Sequence, residues 1–193
     1  MRWTRAIGAT LVAIACATTC LSLACAPRAP EQAAAPKPDP IARGRYLAQI
    51  AGCMDCHTPG SFYGARDTTR QLAGSDLGWA GPWGVVHARN LTPDSATGIG
   101  SWTIDQIVTA IRTGNTPNGT QLSPLMPWLD FSQLTDDDAH ALAAYLKSIP
   151  AVSHQNLDRI PPGKKPTGAN VVFPPPPAWD APKGPPPGGG PSH

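Results

Sequence analysis

The sequence predicts an all-α domain flanked by disordered, proline-rich tails. Three segments repeat apolar residues at helical spacing, and no segment shows a convincing strand pattern. The chain also carries 24 prolines in 193 residues, concentrated before residue 41 and after residue 150. This length suits one modest domain with extensions.

The chain opens Met1-Arg2-Trp3-Thr4-Arg5 and continues uncharged from residue 6 to residue 26, the layout of a targeting segment. Export to the periplasmic side is therefore expected. Leu23-Ala24-Cys25 has the form of a lipoprotein box, so residues 1–25 read as a leader and Cys25 as a lipid-bearing membrane tether. Ala24-Cys25-Ala26 also fits a small-x-small cleavage site, although Pro27 sits poorly directly after it. An uncleaved anchor is a third reading, since the run approaches the roughly 20 residues that cross a bilayer. Cleavage before Cys25 removes Cys16 and Cys20 and leaves Cys53 and Cys56 as the thiols of the body. Fifteen basic and thirteen acidic residues come into balance once Arg2 and Arg5 are set aside, which argues against a nucleic-acid partner.

Residues 26–40 alternate proline with alanine and charge, the composition of an extended linker. The first helix is expected from Asp39 as cap and Pro40 in the first turn, with Ile41, Tyr46, Leu47 and Ile50 before Gly52. It leads straight into Cys53. A second helix opens with Thr103 and Gln106 spaced as a capping box, shows Ile104, Ile107, Val108 and Ile111 on one face, and stops at Gly114. The third starts at Thr135, places Asp136, Asp137 and Asp138 where the helix dipole favours negative charge, and turns Leu142, Tyr145, Leu146 and Ile149 inward before Pro150. The acidic triplet thus reads as a helix start rather than a metal site. Residues 151–193 are richer still in proline and glycine and read mainly as a tail; the alternative is a wrap over the domain through Val171, Val172, Phe173 and Trp179.

The chemistry lies in Cys53-Met54-Asp55-Cys56-His57, a C-x-x-C-H haem-attachment signature. Thiols three positions apart on a helical turn can add to two vinyl groups on one porphyrin edge, and the next residue brings an imidazole beneath the iron. Trp79, Trp83, Trp102 and Trp128 fall in the middle stretch, where a large flat ligand needs walls. A six-coordinate electron-transfer iron also needs a second ligand from a distant segment. Met1 lies in the leader and Met54 is pinned between the cysteines, so Met126 is the candidate, held between Pro124 and Pro127. His87, in a loop, is its rival; His140 and His154 read as surface histidines. Trp102 and Arg112 are candidates to support the haem or its propionates.

Around these residues, Gly44-Arg45-Tyr46-Leu47-Ala48, Asn90-Leu91-Thr92-Pro93-Asp94, Thr97-Gly98-Ile99-Gly100-Ser101-Trp102, Leu125-Met126-Pro127-Trp128 and Leu134-Thr135-Asp136 make residues 41–150 resemble class I cytochrome c domains. The nearest subgroup is that of cytochrome subunits of periplasmic alcohol and sugar-acid dehydrogenases. The resemblance implies a cytochrome c fold, helices wrapped around one covalently bound haem c, with first and last helices crossing near Gly44 and Tyr145. It also implies His57 and Met126 as axial ligands. Such subunits typically carry three such domains, whereas this sequence has a single C-x-x-C-H, so the expectation is a free-standing or tethered carrier. Its partners would be a dehydrogenase, an oxidase or another cytochrome. A haem enzyme or gas sensor with an open sixth position, and a haem-free thiol or zinc protein, are the competing readings.

Overall fold

The computed structural model describes residues 39–175. Helix α1 spans Pro40–Ile50, α2 Cys53–His57, α3 Ile104–Thr113, α4 Trp128–Phe131 and α5 Asp136–Ser148. Short 3₁₀ turns cover Ser61–Tyr63 and Thr68–Arg70, and strands β1, β2 and β3 occupy Gly78–Gly81, Gly84–His87 and Asn170–Val172.

The three long helices begin as their local chemistry dictates. Asp39 accepts hydrogen bonds from the N–H groups of Ile41 and Ala42 at 3.3 and 3.1 Å, with Pro40 supplying no donor that needs a partner. Thr103 and Gln106 close a reciprocal capping box at 2.9 and 3.2 Å, and α3 ends at Gly114 in the left-handed conformation (φ 73°). The Thr135 hydroxyl accepts from the Asp138 N–H at 3.2 Å, below an acidic first turn.

Helices α1 and α5 cross where Gly44 is buried: a Cβ there would run into the Ala141 carbonyl and lie 2.7 Å from the Tyr145 Cβ. The crossing falls at the two positions implied by the sequence motifs. Arg43 seals it with a two-pronged ion pair to Asp138, Nε–Oδ1 2.8 Å and Nη2–Oδ2 3.0 Å. The core beneath joins Leu47, Met54, Leu72, Ile107, Ile111, Leu142 and Leu146. Each such side chain removed from water contributes on the order of 1.5–3 kcal/mol. Among the described residues no helix is long and apolar enough to cross a membrane.

The all-α expectation needs a correction, because a three-stranded sheet in the order β2-β1-β3 stands beside the helices. β1 and β2 form an antiparallel hairpin with Trp79 opposite Val86, and β3 adds in parallel with Val171 opposite Trp79. Four-residue strands that each open on glycine carry no alternating pattern to read, and the third strand arrives from far along the chain. Residues 151–173 therefore run back over the domain through Val171, Val172 and Phe173. Trp179, and the leader with Cys25, lie outside the described residues.

Candidate functional site

Gly52, left-handed at φ 69°, turns the chain out of α1, and its carbonyl accepts from the Asp55 N–H at 3.0 Å, so α2 begins at once with Cys53. One helical turn then divides the side chains by face. Met54 is buried in the core cluster, while Cys53, Cys56 and His57 are half-buried and Asp55 is exposed. Met54 is thereby committed to packing, as its place between the cysteines requires. Arg66 pairs with Asp55 at 2.6 Å on the outer face.

Both cysteines are free thiols. Burial pushes Cys53 up to about 11, and burial with the neighbouring Asp55 charge raises Cys56 as well. They are neutral S–H groups at neutral pH, unlike the low-pKa thiolates of disulfide-exchange sites. Among the described residues, no three His, Cys, Asp or Glu side chains converge as metal-holding clusters do.

The decisive contact is that between His57 Nδ1 and the Arg89 carbonyl, 2.6 Å long. A carbonyl can only accept, so Nδ1 carries the proton and Nε2 presents its lone pair. Burial pushes the imidazole below its ordinary value and keeps it neutral, the form that ligates a metal. The surrounding backbone is fixed too: Gly74 N–H donates to the His57 carbonyl at 2.8 Å, and Leu72 N–H donates to the Thr58 hydroxyl at 3.1 Å. Leu72 holds a left-handed backbone (φ 60°) with its side chain wholly buried, a strained conformation retained beside the site.

Met126 is half-buried in the loop between α3 and α4. That loop is pinned at its start by Leu122 N–H on the Gly114 carbonyl (2.8 Å) and at its end by Met126 N–H on the Ser123 carbonyl (3.0 Å). A cavity of about 380 Å³ lies against it, lined by Trp83, Ser123, Pro124, Leu125 and Phe173. His57, the cysteines and Met126 itself are not in that lining, so the cavity lies between the residues just before Met126 and the Trp83 and Phe173 rings. Behind it Trp79 stacks on Phe173 at 6.1 Å, and Phe62 meets Trp79 edge-on at 5.0 Å.

The remaining candidates divide differently from expectation. Trp83 lines the cavity, Trp102 packs on the edge of the core, and Arg112 pairs with Asp136 at 2.6 Å, tying α3 to α5. Trp128 packs across Gly114, and its Nε1–H is buried with no hydrogen-bond partner among the described residues. His87 is buried at the end of β2, His140 is exposed on α5, and His154 is not a surface residue: its Nδ1 donates to the Ala73 carbonyl at 2.7 Å. Sequence reasoning missed Arg89 altogether, since a backbone acceptor leaves no mark in residue type.

Two neutral thiols and an oriented imidazole on one turn, set on crossed terminal helices, define a protein that carries covalently bound haem c and transfers electrons. Residues 41–150 match the Cytochrome c family, and the chain belongs to it. It is 35% identical over 146 residues to the fructose dehydrogenase cytochrome subunit of Gluconobacter japonicus, covering 76% of this chain and 28% of the relative. It is 36% identical over 119 residues to the gluconate 2-dehydrogenase cytochrome c subunit of Pantoea cypripedii, covering 61% and 25%. It is 37% identical over 115 residues to a diheme c-type cytochrome of Cereibacter sphaeroides, covering 57% and 36%. The chain thus spans about a quarter to a third of the length of these relatives.

Proposed function

We propose that this chain is an exported one-electron carrier holding a single haem c through Cys53 and Cys56, with His57 and Met126 as axial ligands. The observation that carries the reading is the His57–Arg89 contact, which leaves Nε2 as the free donor of a neutral imidazole. The residues present fit the group: both thiols are free and half-buried, as thioether bonds to vinyl groups require, and the buried Trp128 Nε1–H lacks an acceptor among the described residues. When bound, the haem supplies an iron that changes charge by one electron.

Each protein group then has a defined task. Cys53 and Cys56 anchor one porphyrin edge, and Arg89 holds His57 in one tautomer and orientation. The proline-flanked loop presents the Met126 thioether, whose ligation favours the reduced state and a positive potential. Keeping both ligands through the redox change keeps reorganisation small, so the chain works as a carrier rather than as a catalyst. Residues 41–150 form the working domain, entered through the Asp39 cap and Pro40 of α1; residues 1–25 act as leader, with Cys25 as the lipid tether, and the residues between Cys25 and Asp39 as spacer. The relatives' names favour a dehydrogenase among its redox partners, an oxidase or another cytochrome being the other candidates.

Purification from a host that matures c-type cytochromes tests the reading. A pyridine haemochrome spectrum should give one haem per chain linked by two thioethers. Colourless protein with both thiols free would overturn it.

A further inference from the structure

Residues 151–173 lie outside the family-matched region, yet they contact the domain along the segment that orients His57. Val85 and Ile160 exchange two backbone hydrogen bonds, 2.8 Å from Val85 N–H and 3.0 Å from Ile160 N–H. The Arg89 guanidinium donates to the Leu157 carbonyl at 3.1 Å, and the buried Asn90 side chain donates to the Val152 carbonyl at 2.8 Å. His154 donates to the Ala73 carbonyl at 2.7 Å, next to Gly74, whose N–H holds the carbonyl of His57 itself. Both backbone groups that grip His57, the Arg89 carbonyl and the Gly74 N–H, are therefore backed by this segment.

The domain has made room for it. A Cβ on Gly84 would overlap the Ile160 carbonyl, and one on Gly74 would overlap the Asn156 amide. Both glycines also hold positive φ (88° at Gly74, 90° at Gly84), which a side chain would strain; at Gly84 the missing Cβ lets the Ile160 backbone approach, and at Gly74 it leaves space for the Asn156 amide.

We infer that residues 151–173 are a brace that presses the Arg89 carbonyl onto His57 Nδ1–H and so sets the donor strength of the iron ligand. This rests on the haem reading above. A firm Nδ1–H···O=C bond raises the basicity of the opposite nitrogen and favours the ferric state, so loosening the brace weakens that donation and raises the potential. Arg89, Leu157 and Ile160 act as positioning residues through His57, without touching the iron.

The test uses full-length, haem-loaded protein with two variants and a control. Ile160→Pro removes the N–H that bonds Val85, Arg89→Met removes the guanidinium but keeps the carbonyl, and Ile160→Val keeps every backbone bond. In the reduced, diamagnetic protein, NMR follows solvent exchange of the His57 Nδ1 proton, and voltammetry gives the potential. Exchange about tenfold faster, as loss of a supporting hydrogen bond predicts, with a raised potential in Arg89→Met and Ile160→Pro and parental values in Ile160→Val, supports the brace. Should Ile160→Pro fail to mature, Arg89→Met decides. Haem-loaded variants with parental exchange and potential overturn the brace alone, whereas a parent chain without a covalent haem spectrum overturns the haem reading with it.

Discussion

Gly44 of α1 lies directly against the Ala141 carbonyl of α5, with the Tyr145 Cβ 2.7 Å from where its own Cβ would stand. The contact lets two helices far apart in sequence cross at backbone distance. Gly44→Ala should force them apart and cost on the order of 1–3 kcal/mol, with Gly44→Val worse. Thermal unfolding of the holoprotein reads this directly. An unchanged midpoint for both variants would mean that the crossing yields freely.

The Arg43–Asp138 pair beside that crossing makes stability depend on pH. Its hydrogen bonds to Arg43 hold the Asp138 carboxyl below its ordinary value of 3.8. A carboxylate whose folded pKa is depressed stabilises the fold above the unfolded pKa, and loses that contribution as pH falls through the folded one. The gap in unfolding midpoint between parent and Asp138→Asn should therefore be present at pH 7 and close as the pH falls through the depressed folded value. An equal gap at both pH values would assign the effect to packing instead.

Lys147 closes the other end of α5 by reaching across rather than along the helix. Its ammonium donates to the carbonyls of Gly100, Trp102 and Ile99 at 2.6, 3.1 and 3.4 Å. Lys147→Met strips three acceptors of a charged donor and should cost about 2 kcal/mol, the usual range for such bonds. Faster amide exchange confined to residues 99–102 and their neighbours is the local signature. Exchange that rises evenly over the whole domain would show that Lys147 serves something other than this loop.

What the residues disclose in advance is what they determine locally. Asp39, Thr103 with Gln106, and Thr135 cap the helices they precede because a cap is a short-range competition for orphan N–H groups. Cys53, Cys56 and His57 were legible for the same reason, one helical turn being enough to set their relative placement. The sheet was not, since β1 starts and ends in glycine and β3 joins it from Asn170–Val172. Arg89 escaped notice because its carbonyl does the work, and the Arg112–Asp136 pair because its two members lie 24 positions apart on different helices. The surface reading of His154 failed likewise, its acceptor Ala73 being a backbone group 81 positions away.

Met126 is the sharpest remaining test, because a single thioether is asked to decide both potential and ligand access. Its loop is fixed at both ends by backbone bonds, so Met126→Ala should leave the loop in place while removing the sulfur. Without it the sixth position opens. The reduced variant should then bind carbon monoxide at a concentration that leaves the parent untouched, and its potential should fall, since thioether ligation favours the reduced state. The same change in His87→Ala, with Met126→Ala silent, would transfer the role to the buried histidine at the end of β2. If neither variant alters the spectrum or the potential, the sixth ligand comes from elsewhere and the carrier mechanism loses its second axial contact.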